Sequence, residues 1–448
     1  MKEKYVVDMT QGKIVPLLLN FTVPMLFGNL FQQLYNLADS VIVGNYVGPN
    51  ALGAVGACGS LNFFFFSMCS GMSLGIGILM SQYFGAKEAK AIRKTIWNGF
   101  LVITGVAVLM GALGFCLARP VLTLLDTPQV YIEDSILYMK ITTAGILGTA
   151  LYNGVSAMLR ALGDSRTPLK FLVVASVVNV GLDLFFVLFL HLGVLGVAVA
   201  TVISQVVSAA GCILFAFCRN PYFQFERREG YLDLGIMKKC VLLGIPIGLQ
   251  SSMIAVSTVA LQRAANGFGP DVATAYTMST RLEQLIGQPY SSLAAAMSTF
   301  TGQNMGAGQI DRVRKGLRES LVIIGIFSLV MLVIMQVFGG NIMRIFGDDQ
   351  KILAIAANAV KITSFCYFPL GVIYAVRALC NGAGDTGYAL MNGIVEVICR
   401  IGFSICLTAI PVIGMWGIWM TTGCTWTVTG IASVLRYRTK KWMKKCRV

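Results

Sequence analysis

Residues Phe27–Gly48 read FGNLFQQLYNLADSVIVGNYVG and place a carboxylate, Asp39, well inside an apolar stretch. The apolar sequence on either side is long enough for a helix that crosses a bilayer. An ionised carboxylate at bilayer depth costs at least about 2.5–3.5 kcal/mol, so such a residue indicates a functional site. Tyr35, Asn36 and Asp39 share one helical stripe, which predicts a water-filled or protein-lined cavity beside them.

The composition is that of a membrane protein along the whole chain. The 448 residues are 56% hydrophobic and 12% charged, about half the charged share of soluble proteins. Recurring apolar runs predict an all-α polytopic membrane protein with twelve transmembrane helices rather than an outer-membrane barrel. The predicted spans lie near residues 14–45, 51–82, 95–118, 133–158, 168–190, 194–218, 239–266, 272–303, 317–340, 352–379, 387–409 and 412–436.

The chain contains an internal duplication. Gln82 and Gln303 lie 221 positions apart, and the same offset relates Gly163-Asp164 to Gly384-Asp385. A constant offset through a whole half indicates two copies of one unit. Because each copy holds six spans, the copies share one orientation and predict two pseudo-symmetric six-helix lobes.

The duplication sets the predicted domain boundaries. They are an N-lobe at 1–218, a linker loop at 219–238, a C-lobe at 239–436 and a basic tail at 437–448. Polar residues present in both copies are expected to serve the shared scaffold, whereas those present in only one copy are candidates for a specific function. Asp183 aligns with Ser404 and Glu283 with Asn62, so each lobe carries acids that the other lacks.

The net charge of +15 is distributed as in a membrane protein, not as in a nucleic-acid-binding protein. Basic residues cluster in alternate loops, which predicts a multi-pass protein of a bacterial inner (cytoplasmic) membrane with both termini in the cytoplasm. We expect the tail to be an anchor that faces anionic lipid. Most of the twelve cysteines lie in apolar runs without a CxxC pair, so we expect them to be core residues.

The polar residues of the first half suggest a cation site. Two carboxylates surrounded by amide and hydroxyl oxygens suit a proton or a small hard cation such as Na⁺. The predicted site residues are Asp39, Asn153, Asn179, Asp183 and Thr201, with Tyr35, Asn36 and Gln205 as neighbours. We expect no other metal and no cofactor.

The second half offers a different set of residues. Glu283 and Tyr290 share a helix face and are predicted to contact a lipophilic cation. The alternative is that Glu283 pairs with Lys361 or Arg263. Glu396 and Arg400, four positions apart in the favourable order, are predicted to form a structural ion pair.

Several motifs resemble one transporter family. They are TQGKI at 10–14, followed by Pro24 and Asp39, then GMSLGIGILMSQYFGAK at 71–87, LRALGDSRTP at 159–168 and NVGLD at 179–183. The pattern is similar to that of the multidrug and toxic compound extrusion (MATE) family, and within it to the DinF-like and MepA-like branch. Asp39, Asn153, Asn179, Asp183 and Thr201 match the cation site of that branch, and the MepA-type glutamate matches Glu283.

This resemblance implies an antiporter that exports amphipathic, often cationic compounds in exchange for inward H⁺ or Na⁺, with a hinge at Pro24. We expect a monomer that binds small molecules and the lipid bilayer, but no nucleic acid. No GxxxxGK[ST] motif is present, so ATP is not expected to drive transport.

Two other functions remain open from the sequence. One is a flippase or exporter for a lipid-linked or anionic metabolite, which requires a cavity rich in Lys and Arg. The other is an intramembrane enzyme built on Asp39 and Asp385, which requires those two residues to meet. The expectation is that the chain is not an enzyme.

Overall fold

The computed structural model describes residues 6–224 and 232–448, so the first five residues and the centre of the predicted linker lie outside the described residues. The described chain forms fourteen α-helices. They are α1 (Ile14–Ile42), α2 (Pro49–Gly85), α3 (Ala89–Leu124), α4 (Ile132–Ala144), α5 (Ile146–Ala161), α6 (Arg166–Leu184), α7 (Gly193–Arg219), α8 (Leu234–Asn266), α9 (Pro270–Gly306), α10 (Ile310–Met343), α11 (Gln350–Ser364), α12 (Tyr367–Gly382), α13 (Thr386–Thr408) and α14 (Gly417–Arg438).

The fourteen helices make the twelve predicted spans. The fourth span is divided into α4 and α5 at Gly145, where an added Cβ would run into Val202 of α7. The tenth span is divided into α11 and α12, which meet at a bend of 53°. The two breaks occupy equivalent positions of the duplicated unit, so both lobes have the same architecture.

Eight helices of the described chain are long and apolar enough to cross a membrane, and the bent α11–α12 pair makes nine. The remaining spans are α4–α5, α9 and α14. About half of the residues in α9 and α14 are buried against other helices. Polar residues on such faces avoid lipid, so these spans can be less apolar than the others.

Two hydrophobic cores hold the lobes, and each core takes in the beginning of a helix from the other lobe. Ile14, Leu18 and Phe21 of α1 belong to the core of the second lobe, whereas Cys240 and Leu243 of α8 belong to that of the first. Pro24 follows the buried start of α1, which continues without interruption to Ile42. A helix of one lobe is thus anchored in the other.

The lobes meet where α2 packs against α8 through glycines. A Cβ at Gly71 would lie 2.4 Å from the Gly248 nitrogen, and a Cβ at Gly75 would lie 2.6 Å from the Gly244 nitrogen. Small residues allow two helix backbones to approach this closely. Ser67 and Ser252 share a hydrogen bond of 2.6 Å one turn beyond Gly71 and Gly248, on the side away from Gly75.

The contact between the lobes is confined to one half of the bundle. We call the end that carries residues 86–88, 307–309 and both terminal segments the basic end. Within the described chain, the hydrogen bonds that join α1 and α2 to α8, α9 and α12 begin near Asn29 and Ser67 and continue only towards the basic end. The lobes are therefore closed at the basic end and unbonded in the other half.

The basic tail packs partly on protein, while Lys440, Lys441 and Lys444 remain exposed, so the expectation that the tail faces anionic lipid stays a prediction. Trp442 is fully buried and stacks on Tyr437 with ring centroids 5.8 Å apart. The twelve cysteines are all free thiols, and five of them are buried. The expectation that those in apolar runs are core residues was wrong for Cys116, Cys406 and Cys424, which are exposed on the outer faces of their helices.

Gly75→Ala should lower the melting temperature of the purified protein, because an added methyl group forces the α2 and α8 backbones apart at a cost of about 1–3 kcal/mol. Gly59→Ala is the matched control, since Gly59 lies in the same helix with nothing within 4 Å of its Cβ position. There alanine should be neutral or stabilising by up to about 1 kcal/mol. Equal melting temperatures for the two variants would contradict the close contact.

Candidate functional site

Asp39 and Asp183 come together inside the first lobe, as the sequence predicts. Asp39 is in α1 and Asp183 is in the neighbouring α6, and their carboxyl groups face each other within hydrogen-bonding range. Asp183 is fully buried, and one oxygen of Asp39 is buried as well. The arrangement brings two acidic groups together in a largely buried site.

Most of the polar atoms at the acid pair receive no hydrogen bond from the part of the chain that the structure describes. Both oxygens of Asp183, the buried oxygen of Asp39 and both polar atoms of the Asn179 amide lack a hydrogen-bond partner among the described residues. Asn179 is 1% exposed and lies one turn before Asp183. Buried polar groups in folded proteins are almost always paired. Two facing carboxylates without a donor therefore form a site that a proton or a cation would complete.

The helix geometry changes beside both aspartates. After Asp39, α1 continues as a π-helical turn over Val43–Val47, and after Asp183, α6 continues as one over Phe185–Phe189. A π-helical turn widens the helix and is found mostly at functional sites. Both carboxylates thus sit next to backbone that departs from regular helical hydrogen bonding.

Two tyrosines flank the acid pair. Tyr35, predicted as a neighbour, and Tyr138 of α4 both lie within electrostatic range of Asp39 and Asp183. Tyr138 was missed in the sequence. The duplication contains the signal, because Ala359 occupies the equivalent position, so Tyr138 is a polar residue present in one copy only.

Asn153 and Thr201 hydrogen-bond within their own helices in this conformation. The Asn153 amide donates to the Thr149 carbonyl at 2.8 Å, and the Thr201 hydroxyl donates to the Val197 carbonyl at 3.0 Å. Both bonds lie within the residue's own helix. Their assignment to the cation site stays a prediction.

Asn36 and Gln205 are not assembled with the acids either. Asn36 is exposed and its amide donates to Gln33 at 3.5 Å, so its place beside the cation site stays a prediction. Gln205 is 8% exposed, and within the described chain it forms no hydrogen bond to either aspartate.

Glu283 lies in the second lobe, and neither Lys361 nor Arg263 pairs with it among the described residues. Its carboxyl group faces Thr363, and its buried oxygen Oε1 has no hydrogen-bond partner there. The equivalent residues of the first lobe are Asn62 and Thr142, which are hydrogen-bonded at 3.3 Å. The second lobe therefore has a carboxylate where the first has an amide.

Tyr290 is a packing residue in this conformation. It is 1% exposed, its hydroxyl shares a 2.7 Å hydrogen bond with Ser328, and its ring packs edge-on against Phe327. This placement leaves Tyr290 no surface for a substrate.

The predicted ion pair between Glu396 and Arg400 is confirmed. The Arg400 guanidinium donates to Glu396 at 2.8 Å and to the Thr258 hydroxyl at 3.0 Å. The buried positive charge is thereby neutralised within α13.

Asp39 and Asp385 do not meet, so the acid pair of an intramembrane protease is not formed. Asp385 accepts two hydrogen bonds from Arg436 at 2.6 and 2.9 Å in the loop before α13, at the basic end. Asp39 lies in the opposite half of the bundle.

Comparison with known proteins extends over the whole chain. The sequence model of the MatE family matches residues 24–185 and 246–406, once in each half. "Probable multidrug resistance protein YpnP" of Bacillus subtilis (strain 168) is 30% identical over 438 residues, which are 97% of each chain. "Multidrug export protein MepA" of Staphylococcus haemolyticus is 22% identical over 415 residues, covering 89% of this chain and 88% of that protein.

The fold has been seen before in solved structures. One, described as an outward-facing conformation of a multidrug resistance MATE family transporter, superposes with a TM-score of 0.90 at 21% identity. The superposition covers 99% of this chain and 100% of the other. Both lobes and all twelve spans are therefore included in the likeness.

Asp39→Asn should raise the melting temperature of the purified protein at neutral pH. The asparagine amide cannot ionise and donates a hydrogen bond to the Asp183 carboxylate, so it removes any repulsion between the two facing acids. Asp134→Asn, at an exposed position, is the control and should have no effect. A lower melting temperature for Asp39→Asn would show that the native pair is a structural bond rather than an incomplete site.

Proposed function

The chain belongs to the MatE family of membrane transporters, and on that premise we propose that it exports amphipathic, positively charged small molecules in exchange for H⁺ or Na⁺ that moves inward. The observation that carries this proposal is the pair of facing carboxyl groups without a donor. A proton would turn the repulsive contact into a hydrogen bond, and Na⁺ would bind carboxylate and amide oxygens together.

The proposed ion site comprises Asp39 and Asp183, with Asn179, Tyr35 and Tyr138 around them. Asn153 and Thr201 lie in α5 and α7 of the same lobe, and we propose that they join the site when the lobe changes its packing. No oxygen from the second lobe is required, because both acids belong to the first.

The distribution of contacts supports alternating access. Since basic loops face the cytoplasm in most membrane proteins, we place the basic end there, with both termini. The lobes are hydrogen-bonded on that side and not on the other, so this conformation admits ions from outside. Export then requires the opposite state, with the basic end open.

Pro24 is the proposed hinge between the ion site and the lobe contact. Proline removes one helical hydrogen bond and favours a bend at its position. In α1, Pro24 stands between Asp39 in the first lobe and the residues Ile14–Phe21 that pack into the second core. Ion binding at one end of α1 can therefore change the packing at the other.

Substrate and ion need not touch for exchange to occur. If the two favour opposite conformations, the coupling equals the difference in their affinities for those conformations. Glu283 is the proposed partner for the positive charge of a substrate, because its buried oxygen is free of protein partners. Since Arg400 is neutralised by Glu396, export of an anion is supported less well.

Proteoliposomes should expel ethidium when a pH gradient or a Na⁺ gradient is imposed, and Asp183→Asn should abolish that efflux. The asparagine fills the site with a neutral group, so ion binding no longer drives the conformational change. Asp134→Asn is the control for expression and orientation. Undiminished efflux from a well-folded Asp183→Asn variant would refute the ion site, and the gradient that works identifies the ion.

Glu283→Gln should raise the KM for ethidium severalfold while changing kcat less, because the amide loses the charge but keeps the shape. Glu133→Gln is the control, since Glu133 is exposed and ion-paired with Arg119 at 2.8 Å. An unchanged KM together with a lower kcat would assign Glu283 to the conformational change instead of substrate binding.

A further inference from the structure

Both ends of the chain return to the basic end and bind across the two lobes. We call residues 7–12 (VDMTQG) the N-strap and residues 445–448 (KCRV) the C-strap. In the N-strap, the Val7 amide donates to the Leu162 carbonyl of the first lobe at 3.0 Å. Two residues later, the Met9 amide donates to Gln303 Oε1 of the second lobe at 2.8 Å.

The second lobe holds the N-strap through further donors. Arg312 of α10 donates to the carbonyls of Gln11 and Gly12 at 2.9 and 2.8 Å, and to that of Met9 at 3.3 Å. The Asn304 amide also donates to Met9 at 3.2 Å. The strap is thus fixed by its backbone, and its side chains contribute little to these bonds.

The C-strap follows α14 of the second lobe and is bonded to the first lobe and to the start of α8. The Arg447 amide donates to Gln82 Oε1 of the first lobe at 2.9 Å. Lys239 of α8, in the second-lobe half of the chain, donates to the Arg447 carbonyl at 2.7 Å and to the Tyr83 hydroxyl at 3.3 Å.

Gln82 and Gln303 are the equivalent residues of the duplication, and both are fully buried. Each accepts from a strap, and each donates its amide hydrogen to the end of a helix in the opposite lobe. Gln82 donates to Gly382 and Gln303 donates to Ala161, both at 2.9 Å. Gly382 and Ala161 are themselves equivalent positions.

The straps also cross equivalent glycines. Gly163 and Gly384 have φ values of +88° and +87°, and a Cβ on either would collide with a strap carbonyl, that of Val7 or that of Lys445. The two straps share no sequence pattern. Two unrelated segments have therefore taken up the same position on each half of a duplicated surface.

We propose that Gln82 and Gln303 are positioning residues for transport that fasten the two straps across the lobes and so hold the basic end closed. When that end opens, each glutamine loses the helix end that it binds in the opposite lobe, and the N-strap loses one of its two lobes. Leaving a buried amide unpaired is costly, so the intermediate with one strap released is disfavoured. The two straps should therefore open as one unit, although they lie at opposite ends of the sequence.

Arg447→Pro tests this coupling, because proline has no amide hydrogen for Gln82 to accept. Arg447→Ala is the matched control, since it keeps the amide, and the Arg447 side chain forms no hydrogen bond among the described residues. The readout is amide hydrogen exchange in full-length protein in lipid nanodiscs, followed in the peptide that contains Val7 and Met9. Exchange through rare opening reports the open population directly.

The expected result is that Arg447→Pro speeds exchange at Val7 and Met9 about tenfold, whereas Arg447→Ala leaves it unchanged. Gln82→Met, which keeps the shape without donor or acceptor, should act like Arg447→Pro. Its matched control is Gln309→Met at an exposed position.

Faster exchange confined to the C-strap would overturn the proposal, as would equal effects of Arg447→Pro and Arg447→Ala. The measurement requires neither substrate nor ion. If the exchange experiment fails, the proposed antiport is unaffected. If the efflux experiment fails, the proposal about the straps is unaffected.

Discussion

The structure depends on one unfavourable contact, the meeting of Asp39 and Asp183 without a hydrogen-bond donor. In a medium of low dielectric, two facing carboxylates are costly unless a proton or a cation lies between them. The elements around it are built to respond to an occupant. Both helices leave regular geometry just beyond the acids, and α1 extends from this site into the core of the other lobe. A single helix therefore connects the chemistry of one lobe to the packing of both.

Much of the architecture could be predicted from the sequence, because the lengths of the apolar runs and the constant offset between the two copies can both be read from it. The twelve spans, the two lobes and the meeting of Asp39 with Asp183 were predicted. The breaks at Gly145 and near Cys366 could not be read, because the apolar pattern continues through them and only the packing of a neighbour such as Val202 requires them. Tyr138 was missed for a related reason, since it belongs to a third helix whose rotation the sequence does not give.

Two predicted site residues lie away from the positions that the sequence suggested, and both cases have the same physical origin. Helical spacing places Asn36 on the stripe of Asp39, but a stripe about 100° wide contains positions that face different neighbours. The structure turns Asn36 to the exposed side and Tyr290 into the core of its lobe. Comparing the two copies was more informative than spacing. Residues present in both, such as Gln82 and Gln303, lie at the lobe contact, whereas the single-copy residues Asp39 and Tyr138 lie at the acid pair.

The exchange of helix starts between the two cores bears on how the protein is made. The core of the first lobe includes Cys240 and Leu243 of α8, so it cannot be completed until the ribosome has passed the linker and begun the second half. The second core includes the start of α1, which is synthesised long before the rest of that core. The inserted first half must therefore persist in the bilayer with an open groove. Insertion and assembly are separate stages for this chain, and the lobes mature together rather than in sequence.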